Sequence, residues 1–206
     1  MKKVVIATKN KGKLAELEAP LKELGFLVET LPYDYPEIEE NGTSFEENAL
    51  IKARFVCSDL HCIAIADDSG LCVDCLQGAP GIFSARYAQD YPLLEGETKD
   101  EANNRKLLDV MKDVPDEKRQ CAFHCAMAVV FPDGKEFVVH KTWEGRLLFE
   151  GRGQNGFGYD PLFFDEALQL TGAEMAKSVK MGRSHRAKAL QAVIEMFRET
   201  FQSPEK

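Results

Sequence analysis

The chain has 206 residues, of which 44% are hydrophobic and 29% are charged, and its net charge is −8. This composition is typical of a globular protein with a sizeable core, in one α/β domain or in two small lobes. No apolar run approaches the roughly 20 residues that span a bilayer, and the apolar stretch after Lys3 is too short for a signal peptide. We therefore expect a cytoplasmic protein without a membrane partner, and the acidic balance argues against long nucleic acid as a partner.

The N-terminal third predicts a β-α-β unit. A β-branched strand over Lys3–Thr8 is followed by a helix that Asn10 caps and that ends at Gly25, and then by a second strand over Phe26–Leu31. Pro20 lies inside the helical pattern and predicts a kink or a short break.

An acidic loop and a second helix follow. The loop covers Pro32–Gly42, and Thr43 or Ser44 then caps a helix with Glu46 or Glu47 completing a capping box. The remaining predicted elements are a buried strand at Ile63–Ala66 that ends at an aspartate pair, a loop at Gly78–Gly81, a helix over Asp100–Met111, a strand over Cys121–Phe131, a turn at Pro132–Gly134, a strand over Glu136–Trp143, a loop over Gly151–Gly158 and a helix capped by Ser184.

Six cysteines raise the question of a metal or disulfide site. Cys72 and Cys75 are spaced C-x-x-C, but both lie in an apolar run that reads as a strand, where residues three apart point to opposite faces. Small, buried, reduced thiols are therefore the favoured interpretation over structural zinc.

Two basic clusters stand out in this acidic chain. One covers residues 1–13 and the other covers residues 177–188, neither contains an acidic residue, and each includes the start of a predicted helix, after the caps Asn10 and Ser184. Cations at a helix N-terminus oppose the helix dipole unless an anion is bound there, whereas a phosphate would be favoured by the dipole, the free N–H groups and the lysines together. Residues 8–13 are thus a candidate phosphate cradle, with a solvated surface patch as the alternative.

Adjacent carboxylates follow the buried strand at Asp67 and Asp68. Burial and mutual repulsion oppose such a pair. A site that binds Mg²⁺ through one or two carboxylates and substrate phosphates would offset the cost. Glu39 and Glu40 form a second acidic pair, for which a solvated surface is the favoured interpretation from the residues alone.

The segment from Gly156 to Pro161 is a candidate base-binding loop. Its flanking glycines let a ligand approach the backbone, and Phe157 between them can stack on a nucleobase. The alternative is a simple turn with Phe157 tucked beneath it.

Six motifs, in order, give the chain a close resemblance to the Ham1-like inosine triphosphate pyrophosphatases. They are T-K-N-K-G-K, E-E-N-G-T-S-F-E-E-N-A, A-D-D-S-G-L, G-A-P-G-I-F-S-A-R-Y-A, F-G-Y-D-P and S-H-R. The resemblance implies an α/β fold with a mixed central sheet, flanking helices and two lobes around a substrate cleft, in a single domain over residues 1–206. It also implies a Mg²⁺-dependent homodimer that hydrolyses ITP, dITP and XTP at the α–β phosphoanhydride, to monophosphate and pyrophosphate.

The resemblance also implies roles for individual residues. Asp68 matches the catalytic acidic residue and a metal ligand. The other implied metal ligands are Glu39 and Glu40. The implied substrate-binding residues, together with the neighbours in the N-terminal loop, are Thr8, Lys9, Asn10, Lys11, Gly12, Lys13, Ser69, Phe157, Gly158, Tyr159, Asp160, Lys180, His185 and Arg186.

One position departs from the family pattern, and two other functions stay open. Arg183 stands where the family usually has an apolar residue, which puts the local packing in doubt. A haloacid-dehalogenase-type phosphatase is a weak alternative because its D-x-D-x-T motif is absent near the N-terminus. A non-catalytic nucleotide-binding module is the second alternative.

For recognition of the base, Arg186 or backbone N–H groups are the expected donors to the 6-oxo group of hypoxanthine or xanthine, which adenine lacks.

Overall fold

The structure is a computed structural model that describes residues 2–202. The predicted β-α-β opening is confirmed, with β1 at Lys3–Ile6, α1 at Lys11–Glu23 and β2 at Leu27–Thr30. The side chain of Asn10 caps α1 by accepting a hydrogen bond from the Lys13 N–H (3.1 Å). The predicted break at Pro20 is wrong, because α1 continues through it. A proline removes only one backbone hydrogen bond, and α1 packs its apolar side against the core.

Helix α2 spans Phe45–Leu60 and is capped by Ser44, whose side chain accepts from the Glu47 N–H (3.2 Å). Glu47 in turn accepts a hydrogen bond from the Thr43 N–H (2.6 Å), so the reciprocal bond reaches one residue further back than a regular capping box.

Strand β3 spans Ile63–Val73 and is the largest departure from the sequence prediction. The strand was expected to end at Ala66, but it runs on through Asp67, Asp68 and Gly70. Polar residues and a glycine signal a turn in most sequences. Here strand pairing continues because the two carboxylates have partners inside the fold.

The remaining elements comprise two long helices and two long strands, which agree with the prediction in type and differ in extent, and three short elements, which were not predicted. They are α3 at Lys99–Met111, β4 at Gln120–Val130, β5 at Glu136–Leu147, β6 at Phe163–Asp165, β7 at Leu170–Thr171, α4 at Lys177–Met181 and α5 at His185–Gln202. The short elements β6, β7 and α4 have no periodic pattern long enough to be predicted. Cys75 lies in a 3₁₀ turn rather than in a strand, and all six cysteines are free thiols.

The seven strands follow the order β2-β1-β3-β4-β5-β6-β7. Strand β1 pairs in parallel with β2 and β3, whereas β6 pairs antiparallel with β5 and β7. The sheet is therefore mixed, and the expected α/β fold with a mixed sheet and flanking helices is confirmed.

The chain divides into two compact units, in line with the predicted two lobes. The first unit comprises the chain up to Asp68, Cys125–Lys141 and the chain from His185 onward. Its apolar core includes Ile6, Leu17 and Phe197.

The second unit comprises Ser69–His124 and Thr142–Ser184. Its core includes Leu107, Trp143 and Phe163. The division falls between Asp68 and Ser69, so the residues predicted for the site belong to both units.

Candidate active site

The two adjacent aspartates of β3 are both buried in the first unit, with exposures of 1% for Asp67 and 6% for Asp68. Successive residues of a strand point to opposite faces, so two neighbours in sequence meet different surroundings. The partners of the two carboxylates are indeed different, and they separate the two residues chemically.

Asp67 is held by two cations. Its Oδ2 lies 3.0 Å from Lys13 Nζ and 3.1 Å from Arg186 Nε. Arg186 is itself buried, and its Nη1 lies 2.7 Å from Glu16 Oε2. Burial opposes the ionisation of Asp67, but the attraction of Lys13, Arg186 and Lys52 outweighs it and holds the pKa of Asp67 well below its usual value. Asp67 is thus a permanently charged counter-ion.

Asp68 has weaker partners. Its Oδ2 accepts a hydrogen bond from Asn48 Nδ2 (3.0 Å), and its Oδ1 lies 3.8 Å from Lys52 Nζ. Burial raises the pKa of Asp68 above its usual value, and the negative charge of Glu40 adds to this, although Lys52 and Lys13 act in the opposite direction. A carboxylate of raised pKa is better suited to accept a proton than its neighbour.

Two of the predicted metal ligands, Glu40 and Asp68, lie next to the same lysine. Lys52 Nζ lies 2.5 Å from Glu40 Oε1 and 3.8 Å from Asp68 Oδ1, so an ammonium group bridges the two carboxylates. The Oδ1 of Asp67 is buried and receives no hydrogen bond from residues 2–202. The carboxylate oxygens of Asp68 and Glu40, which both lie next to the Lys52 ammonium group, are donors that a hard cation prefers, so this pair fits a divalent ion.

Glu39 is exposed beside Glu40. Over the described part of the chain, no three His, Cys, Asp or Glu side chains converge closely enough to hold a metal by themselves.

The N-terminal loop has the features predicted for a phosphate cradle. Helix α1 has no acidic residue in its first turn, and Lys11 there is exposed. The Asn10 N–H donates to Thr8 Oγ1 (3.2 Å), which folds the loop over residues 8–13 ahead of the helix. The free N–H groups of the helix end therefore remain next to a positive side chain.

Lys9 has a different set of contacts from the one that a phosphate ligand needs. Its ammonium group donates to the backbone carbonyls of Tyr33 (3.0 Å) and Tyr35 (2.5 Å). Tyr35 is buried, and its hydroxyl group donates to Asp59 Oδ2 (2.9 Å). Lys9 thus ties the acidic loop to the phosphate loop within the first unit.

The base-binding loop predicted from the sequence lies in the second unit and is organised by Asp160. The buried carboxylate of Asp160 accepts from the Phe157 N–H (2.9 Å) and pairs with Lys180 Nζ (2.6 Å). A Cβ atom at Gly156 would lie 2.0 Å from Asp160 Oδ2, and one at Gly172 would lie 2.7 Å from Asp160 Oδ1. The two glycines make room for this carboxylate.

Phe157 is half-buried, with Lys180 Nζ 5.1 Å from the centre of its ring. The loop therefore presents an aromatic ring whose neighbouring cation is already neutralised by Asp160. Tyr159, by contrast, is buried, and its hydroxyl group donates a hydrogen bond to Ser84 O (2.8 Å) within the second unit.

The basic cluster around Ser184 is not an open anion-binding patch. Lys180 pairs with Asp160, Arg186 pairs with Asp67 and Glu16, and Arg183 pairs with Asp165 through two nitrogens. These three cations of the cluster therefore have buried carboxylate partners.

Arg183, which departs from the family pattern, is accommodated without a packing defect. Asp165 also accepts from Trp143 Nε1 (2.8 Å), and its pKa is lowered because these hydrogen bonds outweigh the effect of burial. The doubt about local packing is thereby resolved within the second unit.

The remaining predicted residues take clear places. Ser69 is half-buried at the first position of the second unit, and His185 is buried at the start of α5. Gly70 follows Ser69, and a Cβ atom there would lie 2.3 Å from Gly81 O and 2.4 Å from Ser84 Oγ. The glycine of this motif is thus required by close packing.

Three side chains of the site escaped the sequence prediction. They are Glu16, Asn48 and Lys52. Asn48 and Lys52 are four residues apart on α2 and therefore lie on the same face of the helix. The available signal in the sequence was that these polar residues stand next to the small apolar residues Ala49 and Ala53. Glu16 lies three residues after Lys13, but nothing in the sequence shows that a carboxylate on α1 would be buried.

None of the helices within residues 2–202 is long and apolar enough to cross a bilayer.

Comparison with known proteins gives a consistent result. A sequence model of the Ham1 family matches residues 4–196. A protein of Nitratidesulfovibrio vulgaris named dITP/XTP pyrophosphatase is 47% identical over 198 residues, which cover 94% of this chain and 95% of the relative. A Bacillus cereus protein of the same name is 44% identical over 207 residues, covering 98% and 97%.

Solved structures agree. The Staphylococcus aureus Ham1 protein has a TM-score of 0.83 and 36% identity, covering 97% of this chain and 100% of that one. A structure from Mycobacterium abscessus, titled nucleoside-triphosphatase / dITP/XTP pyrophosphatase, has a TM-score of 0.69 and 40% identity, covering 97% and 98%.

Proposed function

Since the chain belongs to the Ham1 family, we propose that it hydrolyses non-canonical purine nucleoside triphosphates such as dITP, ITP and XTP to the monophosphate and pyrophosphate. Such a reaction removes these nucleotides from the pool before they enter DNA or RNA. The names of the curated relatives support the substrate class. The observation on the chain itself that carries the proposal is that two adjacent buried aspartates have different partners: Asp67 is bound by two cations within 3.1 Å, whereas Asp68 is held by an amide donor, with its nearest lysine at 3.8 Å.

Asp68 is the proposed catalytic residue. Its carboxylate accepts a proton from the water that attacks the α-phosphorus, because its pKa lies above that of an exposed aspartate. Asn48 fixes the orientation of the carboxylate through the bond to Oδ2. Asp67 holds Lys13 and Arg186 in place and takes no proton.

The triphosphate is bound by the N-terminal loop. Lys11 and Gly12 present the N–H groups of the helix N-terminus, Thr8 and Asn10 shape the loop that precedes it, and Lys13 adds a positive charge. These groups offset the repulsion between a triphosphate and a protein of net charge −8.

We propose Asp68, Glu40 and Glu39 as the ligands of a divalent ion, with Mg²⁺ as the ion. When bound, such an ion neutralises phosphate charge and polarises the phosphoryl group that is attacked. Lys52, which bridges Glu40 and Asp68, is the group that must move as these carboxylates take a cation.

The purine is bound by the loop over residues 157–160, with Phe157 as the stacking surface and Lys180 beside it. Ser69, His185 and Arg186 are further proposed contacts on the strength of the resemblance. A cytoplasmic homodimer with residues 1–206 as one domain, and without nucleic-acid or membrane partners, rests on the sequence alone and stays a prediction.

A panel of triphosphates with pyrophosphate detection tests the function. With Mg²⁺ present, dITP and XTP should be turned over at least tenfold faster than dATP and dGTP. Equal rates for dATP and dITP would contradict the proposed substrate class. Release of orthophosphate from dITP would favour a phosphatase instead.

The role of Asp68 is tested by Asp68→Asn, with Asp113→Asn as the control because Asp113 is an exposed aspartate. We expect turnover of dITP to fall by about 10³-fold or more in the first variant and to be unchanged in the second. A wild type that binds dITP without turnover would instead identify a nucleotide-binding module.

A further inference from the structure

Two residues of α3 hold the loop that we assign to purine binding. The Gly158 N–H donates to Asp100 Oδ2 (2.8 Å), and Gly158 O accepts from Asn104 Nδ2 (2.9 Å). Asp100 and Asn104 are four residues apart and therefore lie on the same face of the helix. All three residues belong to the second unit.

These contacts matter because of the residue they hold. Glycine has wide freedom in both backbone dihedral angles, and Gly158 adopts φ +62°, a left-handed conformation. Its N–H belongs to the peptide shared with Phe157, and its carbonyl belongs to the peptide shared with Tyr159. Asp100 and Asn104 thus fix the two successive peptide planes on either side of the flexible Cα atom.

Helix α3 is a rigid support for this task. Thr98 and Glu101 form a complete capping box at its N-terminus, and Leu107 and Met111 are fully buried in the core of the second unit. Asn103 anchors the helix further by accepting from the Ala88 N–H (2.8 Å). A loop held by α3 therefore takes its position from the core.

The same contacts decide what the loop offers to a ligand. The N–H of Phe157 donates to Asp160 and the N–H of Gly158 donates to Asp100, so both amides already bind carboxylates. The Phe157 ring, with the Lys180 ammonium near its face, is the group that the loop presents. Its angle is set by the Gly158 backbone that follows it.

We propose that Asp100 and Asn104 are positioning residues for purine recognition, acting through Gly158 on the placement of the Phe157 ring. The inference rests on the proposed function, since it assigns the loop to the base of the same substrate. It makes α3, which has no motif for nucleotide binding, a determinant of base affinity and base selectivity. The chemical step at Asp68 is not altered by this role.

The test uses the full chain with Asp100→Ala, Asn104→Ala and the control Asp109→Ala, an exposed aspartate on the same helix. We expect KM for dITP to rise about tenfold in the first two variants while kcat stays within twofold, which a general loss of stability would not produce. The preference for dITP over dGTP should fall by a similar factor. The control should match the wild type in KM and kcat.

Conservative variants separate hydrogen bonding from charge. Asp100→Asn keeps an acceptor for the Gly158 N–H and should restore KM to within about twofold of the wild type. Asn104→Asp loses the donor and places a carboxylate against Gly158 O, so its KM should be at least as high as that of Asn104→Ala. An Asp100→Asn variant as impaired as Asp100→Ala would overturn the proposal.

Binding of dIMP by titration calorimetry tests the inference separately from turnover. Asp100→Ala and Asn104→Ala should weaken dIMP binding about tenfold, whether or not the wild type hydrolyses dITP. If the wild type releases pyrophosphate but both variants keep its KM and its dIMP affinity, the function stands and the inference fails. If the wild type binds dIMP without hydrolysis and the variants bind it weakly, the inference stands and the enzymatic function fails. A wild type with neither property contradicts both.

Discussion

At the scale of single residues, Asp67 and Asp68 show how neighbours in a strand acquire opposite properties. Asp67 has two cationic partners within 3.1 Å, whereas Asp68 has an amide donor and a lysine at 3.8 Å. Both carboxylates are desolvated to a similar degree, so their partners decide the difference. The charged partners of the two aspartates, rather than their burial, therefore distinguish the anchor Asp67 from the proposed base Asp68.

The contrast predicts opposite effects on stability. Asp67→Asn leaves the charges of Lys13 and Arg186 uncompensated and should lower the free energy of unfolding at pH 7 by about 3 kcal/mol, or roughly 6–12 °C in Tm for a chain of this size. Asp68→Asn removes a carboxylate whose ionisation the fold disfavours, so its Tm without metal should equal or exceed that of the wild type.

The pH dependence of these differences follows from the direction of each pKa shift. The pKa of Asp67 is lowered, so its stabilising effect is present above about pH 4 and is lost as the pH falls through its folded pKa. The pKa of Asp68 is raised, so its ionisation costs stability above its folded pKa and costs nothing below about pH 4. Thermal unfolding in EDTA between pH 7 and pH 3 should therefore show the advantage of Asp68→Asn disappearing toward pH 3, whereas most of the deficit of Asp67→Asn persists there, because the folded pKa of Asp67 lies far below its usual value. A loss of stability in Asp68→Asn as large as that in Asp67→Asn would refute the assignment.

Gly156 allows a second test at this scale, with Gly25 as a matched control. Both have positive φ angles, +77° and +84°, but a Cβ atom at Gly156 would meet Asp160 at 2.0 Å, whereas one at Gly25 would meet nothing within 4 Å. Gly25→Ala should cost only the strain of its backbone, about 1 kcal/mol, and leave KM unchanged. Gly156→Ala should also raise KM for dITP severalfold, because Asp160 must move. Equal KM values in the two variants would show that Asp160 does not organise the base-binding loop.

At the scale of elements, the acidic loop after β2 depends on one lysine. Lys9 Nζ binds the carbonyls of Tyr33 and Tyr35, and the loop carries Glu40 to Lys52. Because the Lys9 ammonium group already donates to two backbone carbonyls, it contributes more to the position of the loop than to phosphate binding. The sequence predicts Lys9 as a substrate ligand, whereas the contacts make it a positioning residue. Replacing Lys9 would affect the kinetic constants differently in the two cases.

Lys9→Met therefore discriminates between the two roles, with the exposed Lys22→Met as the control. Loss of the tether should raise the Mg²⁺ concentration for half-maximal activity about fivefold, the equivalent of about 1 kcal/mol in hydrogen bonding, while KM for dITP at saturating Mg²⁺ stays within twofold. A rise in KM for dITP at an unchanged Mg²⁺ requirement would instead support a phosphate ligand.

The same elements show what the sequence could and could not predict. Local sequence signals were sufficient to predict α1, α2, α3 and α5, and the predicted caps Asn10 and Ser44 act locally. Local signals failed at β3. Its acidic pair and Gly70 resemble a turn in the sequence, but the strand continues through them. The partners of the two carboxylates lie on α1, α2 and α5, which are distant in sequence.

For the site, the motifs predicted a set of residues that stays a prediction, and they did not point to Glu16, Asn48 and Lys52, which contact members of that set. Buried ion pairs between distant segments leave no local pattern. The same holds for Arg183, whose partner Asp165 explains its acceptance in the fold.

At the scale of the whole molecule, the two units contain different sets of the residues that we assign to the reaction. The first unit contains the charged anchor, the proposed base and the phosphate loop, and the second unit contains the aromatic loop that α3 supports. A net charge of −8 makes the cations of the first unit important for a triphosphate substrate, because they are the groups that oppose general repulsion.

The central claim, attack on the α-phosphorus of a purine triphosphate, is tested most directly by hydrolysis of dITP in water enriched in ¹⁸O. The account predicts that ³¹P NMR finds the heavy oxygen in dIMP and none in pyrophosphate, because the water activated by Asp68 forms its new bond to the α-phosphorus. Label in pyrophosphate, or release of orthophosphate, would place the attack elsewhere and contradict the account.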